Sequence, residues 1–271
     1  MSDGVPGPVL EAFGVSGPPV PLAGGQGESL RAGHLVFKPV RDADEAISVG
    51  ELLERVQERG FRLGRPVRAL DGRWVVDGWS AARFVAGTWA PAGRWPEIFA
   101  AGRAFTAGLD GCRRPEFLGR RTHRWAVADA VAWGEADHAP LDAAAPLLAR
   151  LVALRRQVDA PPQLVHGDLA GNLLLADGVA PAVIDVSPYW RPAAFADAVL
   201  AVDGLIWDGA GPEVLTLASA GPPFGQAAVR ALIFRLVAQD LAARAEGPWP
   251  LHDLAGFGAV ADLVEELLAT E

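Results

Sequence analysis

The spacing of apolar residues changes along the chain, and the change divides it. Residues 1–20 are punctuated by Gly4, Pro6, Gly7, Pro8, Gly17, Pro18 and Pro19. This predicts a partly ordered arm with at most one turn, at Val9–Phe13. Short apolar runs follow: a strand at Val20–Leu22, a loop over 23–29, and a strand at Leu35–Lys38. Asp44–Arg59 places Ile47, Leu52, Leu53 and Val56 at helical spacing with acids between them. Val67–Leu70 and Trp74–Asp77 flank Asp71-Gly72, which predicts a hairpin. Ala82–Val85 reads as a further strand, stopped at Ala86-Gly87. Residues 21–87 are thus expected to form a small β-rich lobe with one helix.

From residue 88 to 271 the texture is helical. Residues 95–110, 141–157, 195–207, 226–245 and 255–269 have helical patterns, with Pro/Gly loops and a Trp-containing connection (Trp125, Trp133) among them. Residues 163–186 read as two short apolar strands around a polar loop. No fixed period recurs, which argues against a solenoid. A small β lobe followed by a larger helical one is a bilobal α+β plan, with a ligand cleft expected between the lobes.

Composition narrows the partners. The 271 residues are 51% hydrophobic and 21% charged, with a formal net charge of −9. Such a chain has ample core, and its charge disfavours nucleic acid or an anionic membrane surface as partner. The single cysteine, Cys112, excludes an internal disulfide framework. No charged segment precedes an apolar leader and no run of 18 apolar residues occurs, so a soluble, cytoplasmic protein is expected. Among 24 basic residues only one is lysine, Lys38, and it ends the run Leu35-Val36-Phe37. Lysine is a compact point charge on a flexible stem, whereas arginine is a planar fork. Gly24-Gly25-Gln26-Gly27 lies just upstream. A glycine loop, a strand and a lysine in that order can cradle nucleotide phosphates.

The densest polar cluster is His166-Gly167-Asp168-Leu169-Ala170-Gly171-Asn172, preceded by Leu164-Val165 and followed by Leu173–Leu175. The run Ala182-Val183-Ile184 then delivers Asp185. Phosphoryl transfer from ATP needs a carboxylate to take the acceptor proton, oxygen ligands for Mg²⁺, and a cation on the phosphates. Asp168, Asn172 with Asp185, and Lys38 supply these in turn.

These residues resemble the catalytic core of the aminoglycoside phosphotransferase / choline kinase family, which has a protein-kinase-like fold. The likeness is strongest over 164–187. The segment Ile184–Pro192, read Ile-Asp-Val-Ser-Pro-Tyr-Trp-Arg-Pro, is similar to an uncharacterised bacterial branch of that family. The resemblance implies an ATP- and Mg²⁺-dependent kinase of a small-molecule hydroxyl, with Asp168 as base and Asn172 and Asp185 as metal ligands. It also implies that His166 supports the loop through hydrogen bonds. Lys38 would hold the α/β-phosphates and pair with a glutamate on helix 44–59, Glu54 being favoured over Glu51. Gly25, Gly27 and Ser29 would lie at the phosphates, and adenine would lie on the backbone of Phe84–Ala86, centred on Val85.

The chain departs from the pattern at one point. Three residues separate Asp168 from Asn172 where that family has four. Gly171 is expected to absorb the tighter turn at positive φ. The shortened loop leaves a second reading, a nucleotide-binding pseudokinase acting as scaffold or sensor without transfer. Ser187–Pro192 is read either as part of an acceptor pocket or as a packing plug. Asp197 and Asp203 would support the loop or face an amino group of a substrate, and Arg235, set among Leu232, Ile233, Phe234 and Leu236, is expected to bury its stem and pair with an acid.

Overall fold

The computed structural model describes residues 4–22, 28–219, 223–247 and 251–270. It opens with helix α1 (Gly7–Ala12), strands β1 (Val20–Pro21), β2 (Leu30–Ala32) and β3 (Leu35–Pro39), and helix α2 (Ala43–Arg55). Strands β4 (Arg62–Leu63), β5 (Pro66–Val67), β6 (Val75–Val76) and β7 (Trp79–Arg83) complete the smaller lobe. The first sheet runs β1-β2-β3-β7-β5, with β6 also on β7. Helix α2 starts where Asp42 accepts the Glu45 N–H at 3.0 Å, and acids fill its first turn, as the positive end of a helix favours.

The hairpin lies six residues further on than the sequence suggests. Val76 and Trp79 face each other across β6 and β7, and Asp77 and Gly78 between them both have positive φ. That is the backbone of a two-residue turn matched to strand twist. Between β5 and β7 the chain has two Asp-Gly pairs; the earlier, Asp71-Gly72, turns the chain without pairing β5 to β6.

The N-terminal segment is also more ordered than its Gly and Pro content suggests. Val5, Val9, Leu10, Phe13 and Val15 are buried against Leu35, Phe37 and Val76 in a core of their own. Phe13 meets Phe37 edge-on, with ring centroids 5.6 Å apart. Proline at the first turn of α1 starts that short helix and does not break it.

The larger lobe contains α3 (Trp95–Gly108), a 3₁₀ turn (Glu116–Gly119), α4 (Arg124–Ala132) and α5 (Ala145–Leu154). Strands β8 (Gln163–His166), β9 (Leu173–Leu174), β10 (Ala182–Val183) and β11 (Pro188–Arg191) follow. Helices α6 (Ala194–Trp207), α7 (Glu213–Ala218), α8 (Phe224–Glu246) and α9 (Leu251–Leu268) close the chain. The two strands expected over 163–186 do not pair with each other. Strand β8 pairs with β11, and β9 pairs with β10, which runs parallel to β4 of the smaller lobe. A bridge between Thr88 and Leu175 adds a second seam at the lobe junction.

Helix α8 is the axis of this lobe. From Ala227 to Ala238 nearly every residue is buried, and α4, α5, α6 and α9 pack around it. Its buried polar residues are each partnered: Asp240 with His138 at 2.8 Å, Arg230 with the Arg156 carbonyl at 2.7 Å, and Arg235 with Asp203 at 2.6 Å. No helix among the described residues is long and apolar enough to cross a membrane.

The packing of α1 makes a prediction. Phe13→Ala removes a buried ring and should cost about 3–5 kcal/mol. Urea unfolding of the variant checks this; an unchanged midpoint would show that the arm is dispensable to the lobe.

Candidate functional site

The site is built from two loops joined by hydrogen bonds. The first leaves β8 at His166. Leu169 and Leu173 are fully buried, so each end of the turn is pinned in the core. The Asn172 N–H donates to the Leu169 carbonyl at 3.0 Å, which closes the turn in the reduced span. Gly171 sits at φ +74°, the left-handed conformation expected of it. Gly167 is needed for a different reason: a Cβ there would lie 2.4 Å from the Tyr189 ring.

The second loop leaves β10. The Ile184 N–H donates to the Asn172 carbonyl at 2.9 Å, and the Gly167 N–H donates to the Ser187 carbonyl at 3.0 Å. Buried His166 joins the loops through its ring. Its Nδ1 accepts the Asp168 N–H at 3.1 Å, and Nε2 lies 3.3 Å from the Ile184 carbonyl. An acceptor at Nδ1 requires the neutral ring with the proton on Nε2. Burial pushes the His166 pKa down, in the same direction. The expected supporting role of His166 is what the geometry gives it.

The titratable residues meet across these loops. Asn172 Nδ2 donates to the Asp168 carbonyl at 2.8 Å and to Asp168 Oδ2 at 3.1 Å. With its nitrogen committed, the Asn172 amide has only oxygen left to offer. Asp185 has φ +49°, a conformation that non-glycine residues seldom adopt and that concentrates at functional sites. Its carboxylate lies 2.5 Å from Lys38 Nζ, and both side chains are partly exposed. Lys38 stands on β3 opposite Ser80 of β7, so the sheet fixes its height above the second loop. Among the described residues no group of three or more His, Cys, Asp or Glu side chains could hold a metal alone.

The helix partner of Lys38 must be corrected. Glu54 does not reach it: Arg68 forks onto both Glu54 carboxylate oxygens at 3.0 and 3.1 Å, on the exposed side of α2. That hydrogen-bonded arginine also lowers the Glu54 pKa. The acid of α2 that turns inward is Glu45, in its first turn, and Arg121 takes it. Arg121 bonds the Pro188 carbonyl at 2.6 Å and covers the Tyr189 ring at 5.6 Å. The register of α2 thus gives its inward carboxylate to the larger lobe, and the cation of β3 pairs with Asp185.

Of the other expected residues, Gly25 and Gly27 lie outside the described residues. The Ser29 carbonyl accepts the Leu22 N–H at 3.0 Å, next to the β1–β2 pairing. Val85 follows β7 at the lobe junction. Phe84 donates its N–H to the His34 carbonyl, and the Ala86 carbonyl accepts from Arg62, but Val85 has no backbone hydrogen bond among the described residues. Segment 187–192 forms β11. Tyr189 is buried and packs on Phe234, while Tyr189, Trp190 and Arg191 also line a cavity of about 660 Å³ with Arg121 and Asp129.

Two partnerships had only a faint sequence signal. Asp197 pairs with Arg103 of α3 at 2.6 Å, and Asp203 pairs with Arg235. Arg235 Nη2 also reaches Asp168 Oδ1, at 2.7 Å. An arginine inside an apolar helix announces a buried acid. Which acid it meets depends on how α6 and α8 cross.

This architecture is found in solved structures. An aminoglycoside phosphotransferase from Alicyclobacillus acidocaldarius superposes with a TM-score of 0.64 at 16% identity, covering 100% of this chain and 96% of that one. The chain has a protein-kinase-like fold. A choline/ethanolamine kinase family protein from Mesorhizobium loti gives 0.61 at 19% identity, over 95% of this chain and 91% of that one. A thermostable mutant of the aminoglycoside phosphotransferase APH(4)-Ia, in ternary complex with AMP-PNP and hygromycin B, gives 0.58 at 14% identity, over 95% and 96%. No protein-family model and no curated protein matches the sequence.

The shortened turn can be tested through Gly171. No atom lies within 4 Å of an added Cβ, so substitution meets no clash and only backbone strain. Gly171→Val should destabilise the turn by about 1–2 kcal/mol. It should also displace Asn172 while the fold persists. Thermal melting and a crystal structure of the variant check both effects.

Proposed function

We propose that this chain is an ATP- and Mg²⁺-dependent phosphotransferase acting on a hydroxyl group of a small molecule. The observation that carries the reading is that two hydrogen-bonded loops hold Asp168 with Asn172 and present Asp185 to Lys38 of β3. Neighbours of the same fold whose complexes contain AMP-PNP and hygromycin B support a nucleotide and a small polar acceptor as ligands. A small-molecule partner also suits a chain of net charge −9, which favours neither nucleic acid nor an anionic membrane.

Each group has one task. Asp168, its carboxylate partly exposed at the cleft, takes the proton of the acceptor hydroxyl. The acceptor oxygen bonds to the γ-phosphorus as the bond to the β,γ-bridging oxygen breaks, and ADP leaves. Lys38 holds the phosphates. Gly25, Gly27 and Ser29 are assigned to the phosphates from the sequence. The unbonded backbone of Val85 receives the adenine edge. Asn172 Oδ1 and the Asp185 carboxylate are hard oxygen donors of the kind Mg²⁺ accepts, one or two from protein and the rest from phosphate and water. When bound, the ion offsets phosphate charge.

A screen of acceptors with γ-labelled ATP tests the reading: amino sugars, aminoglycosides and choline-like alcohols in turn. Absence of label transfer to every acceptor, and of ATP hydrolysis, would exclude it. Asp168→Asn removes a base and no phosphate contact. Turnover should fall roughly 10²–10⁴-fold. Binding of a fluorescent ATP analogue should stay as in the parent protein. Lys38→Arg keeps the charge and should nevertheless impair both binding and turnover, because the planar head cannot occupy the position of the ammonium. Parent-like titration and rate in that variant would remove Lys38 from the phosphate site.

A further inference from the structure

Arg235 is the most enclosed cation with a route to the cleft. Its side chain is 4% exposed and that of Asp203 is 3% exposed. Nε donates to Asp203 Oδ1 at 2.6 Å and Nη2 contacts Asp203 Oδ2, a two-point fork between α8 and α6. Trp125 of α4 covers the guanidinium at 5.3 Å. Three helices therefore fix this one group.

A buried guanidinium needs a carboxylate partner, and Asp203 alone meets that need. The third contact, 2.7 Å from Nη2 to Asp168 Oδ1, is not required to neutralise Arg235. Nor does Asp168 need it for solvation, since its side chain is 43% exposed. What the contact adds is orientation. With Arg235 on Oδ1 and Asn172 on Oδ2, the carboxylate plane of Asp168 is held from both sides.

We propose that Arg235, itself oriented by Asp203, is a positioning residue that fixes the Asp168 carboxylate for proton transfer. The inference rests on Asp168 being the base. It differs from a packing role in what it affects: a free carboxylate would still bind no phosphate and would leave nucleotide affinity alone, but it would meet the acceptor in the wrong geometry.

Two variants separate the roles. Arg235→Lys keeps the charge and loses the fork. The double variant Asp203→Leu with Arg235→Met removes the buried pair together, a replacement that cores commonly tolerate, and so guards against simple failure to fold. Both are compared with the parent in Mg²⁺-ATP hydrolysis, with water as acceptor, in fluorescent-nucleotide titration and in thermal melting. The expected result is kcat reduced on the order of 10²-fold, as small misplacements of reacting groups produce. KM for ATP, nucleotide affinity and melting of the double variant should stay near the parent values. In an Asp168→Asn background, Arg235→Lys should cost nothing further, because it acts through the missing group. An unchanged kcat, a loss shared equally by nucleotide binding, or full additivity with Asp168→Asn would overturn the proposal. If the parent protein turns over no ATP, the phosphotransferase reading fails, and crystal structures decide the positioning question alone. Asp168 should leave its present rotamer in the double variant, and an unmoved side chain refutes the inference.

Discussion

The cleft depends on one buried imidazole being neutral. His166 accepts from one loop at Nδ1 and donates to the other at Nε2. A charged ring would have two donors and no acceptor, and the Asp168 N–H would lose its partner inside the core. Burial holds the ring in the form the two bonds need. Together with the Ile184–Asn172 and Gly167–Ser187 backbone hydrogen bonds, that side chain ties the turn carrying Asp168 and Asn172 to the turn carrying Asp185. Loops that carry function usually borrow rigidity from the scaffold beneath them. Here the lender is a residue that meets no ligand.

The lobes are coupled by a different route. In this chain the inward acid of α2 is Glu45, and its partner Arg121 also grips the Pro188 carbonyl at the start of β11. The helix of the smaller lobe is therefore tied to the strand that follows Asp185. Exposed forks such as Arg68–Glu54 add little to this coupling, since solvent screens them.

The cleft was legible in the sequence because its chemistry is local. His166 through Asn172 and Ile184-Asp185 lie within two short runs, and Gly171 could be assigned positive φ from the missing residue alone. The helices α2, α3, α6 and α8 were legible from periodicity. What sequence could not give was registry between distant elements. Glu54 and Glu45 both sit on an acid-rich helix, and only the rotation of α2 about its axis decides which faces inward. The hairpin turn had two Asp-Gly candidates, and the choice is made by which strand pairs with β7. Helix α4 reads as a connection in the sequence because it is only nine residues long and four of them are alanine, so little apolar periodicity shows. The N-terminal arm has its helix near the turn the sequence predicts, and its packing against Phe37 is hidden in the sequence by the surrounding Gly and Pro.

One feature of composition acquires a meaning at the cleft. The chain holds a single ε-amine, Lys38, and it stands partly exposed against Asp185 at the place assigned to phosphate. The other 23 Lys/Arg positions are all guanidinium groups, inert toward mild acylating reagents. Surface acylation, which in most proteins scatters over many lysines, has here one lysine target, and that target stands against Asp185. The protein thus carries its own chemical reporter: the rate at which Lys38 is modified measures how accessible the Lys38–Asp185 pair is, with no label introduced.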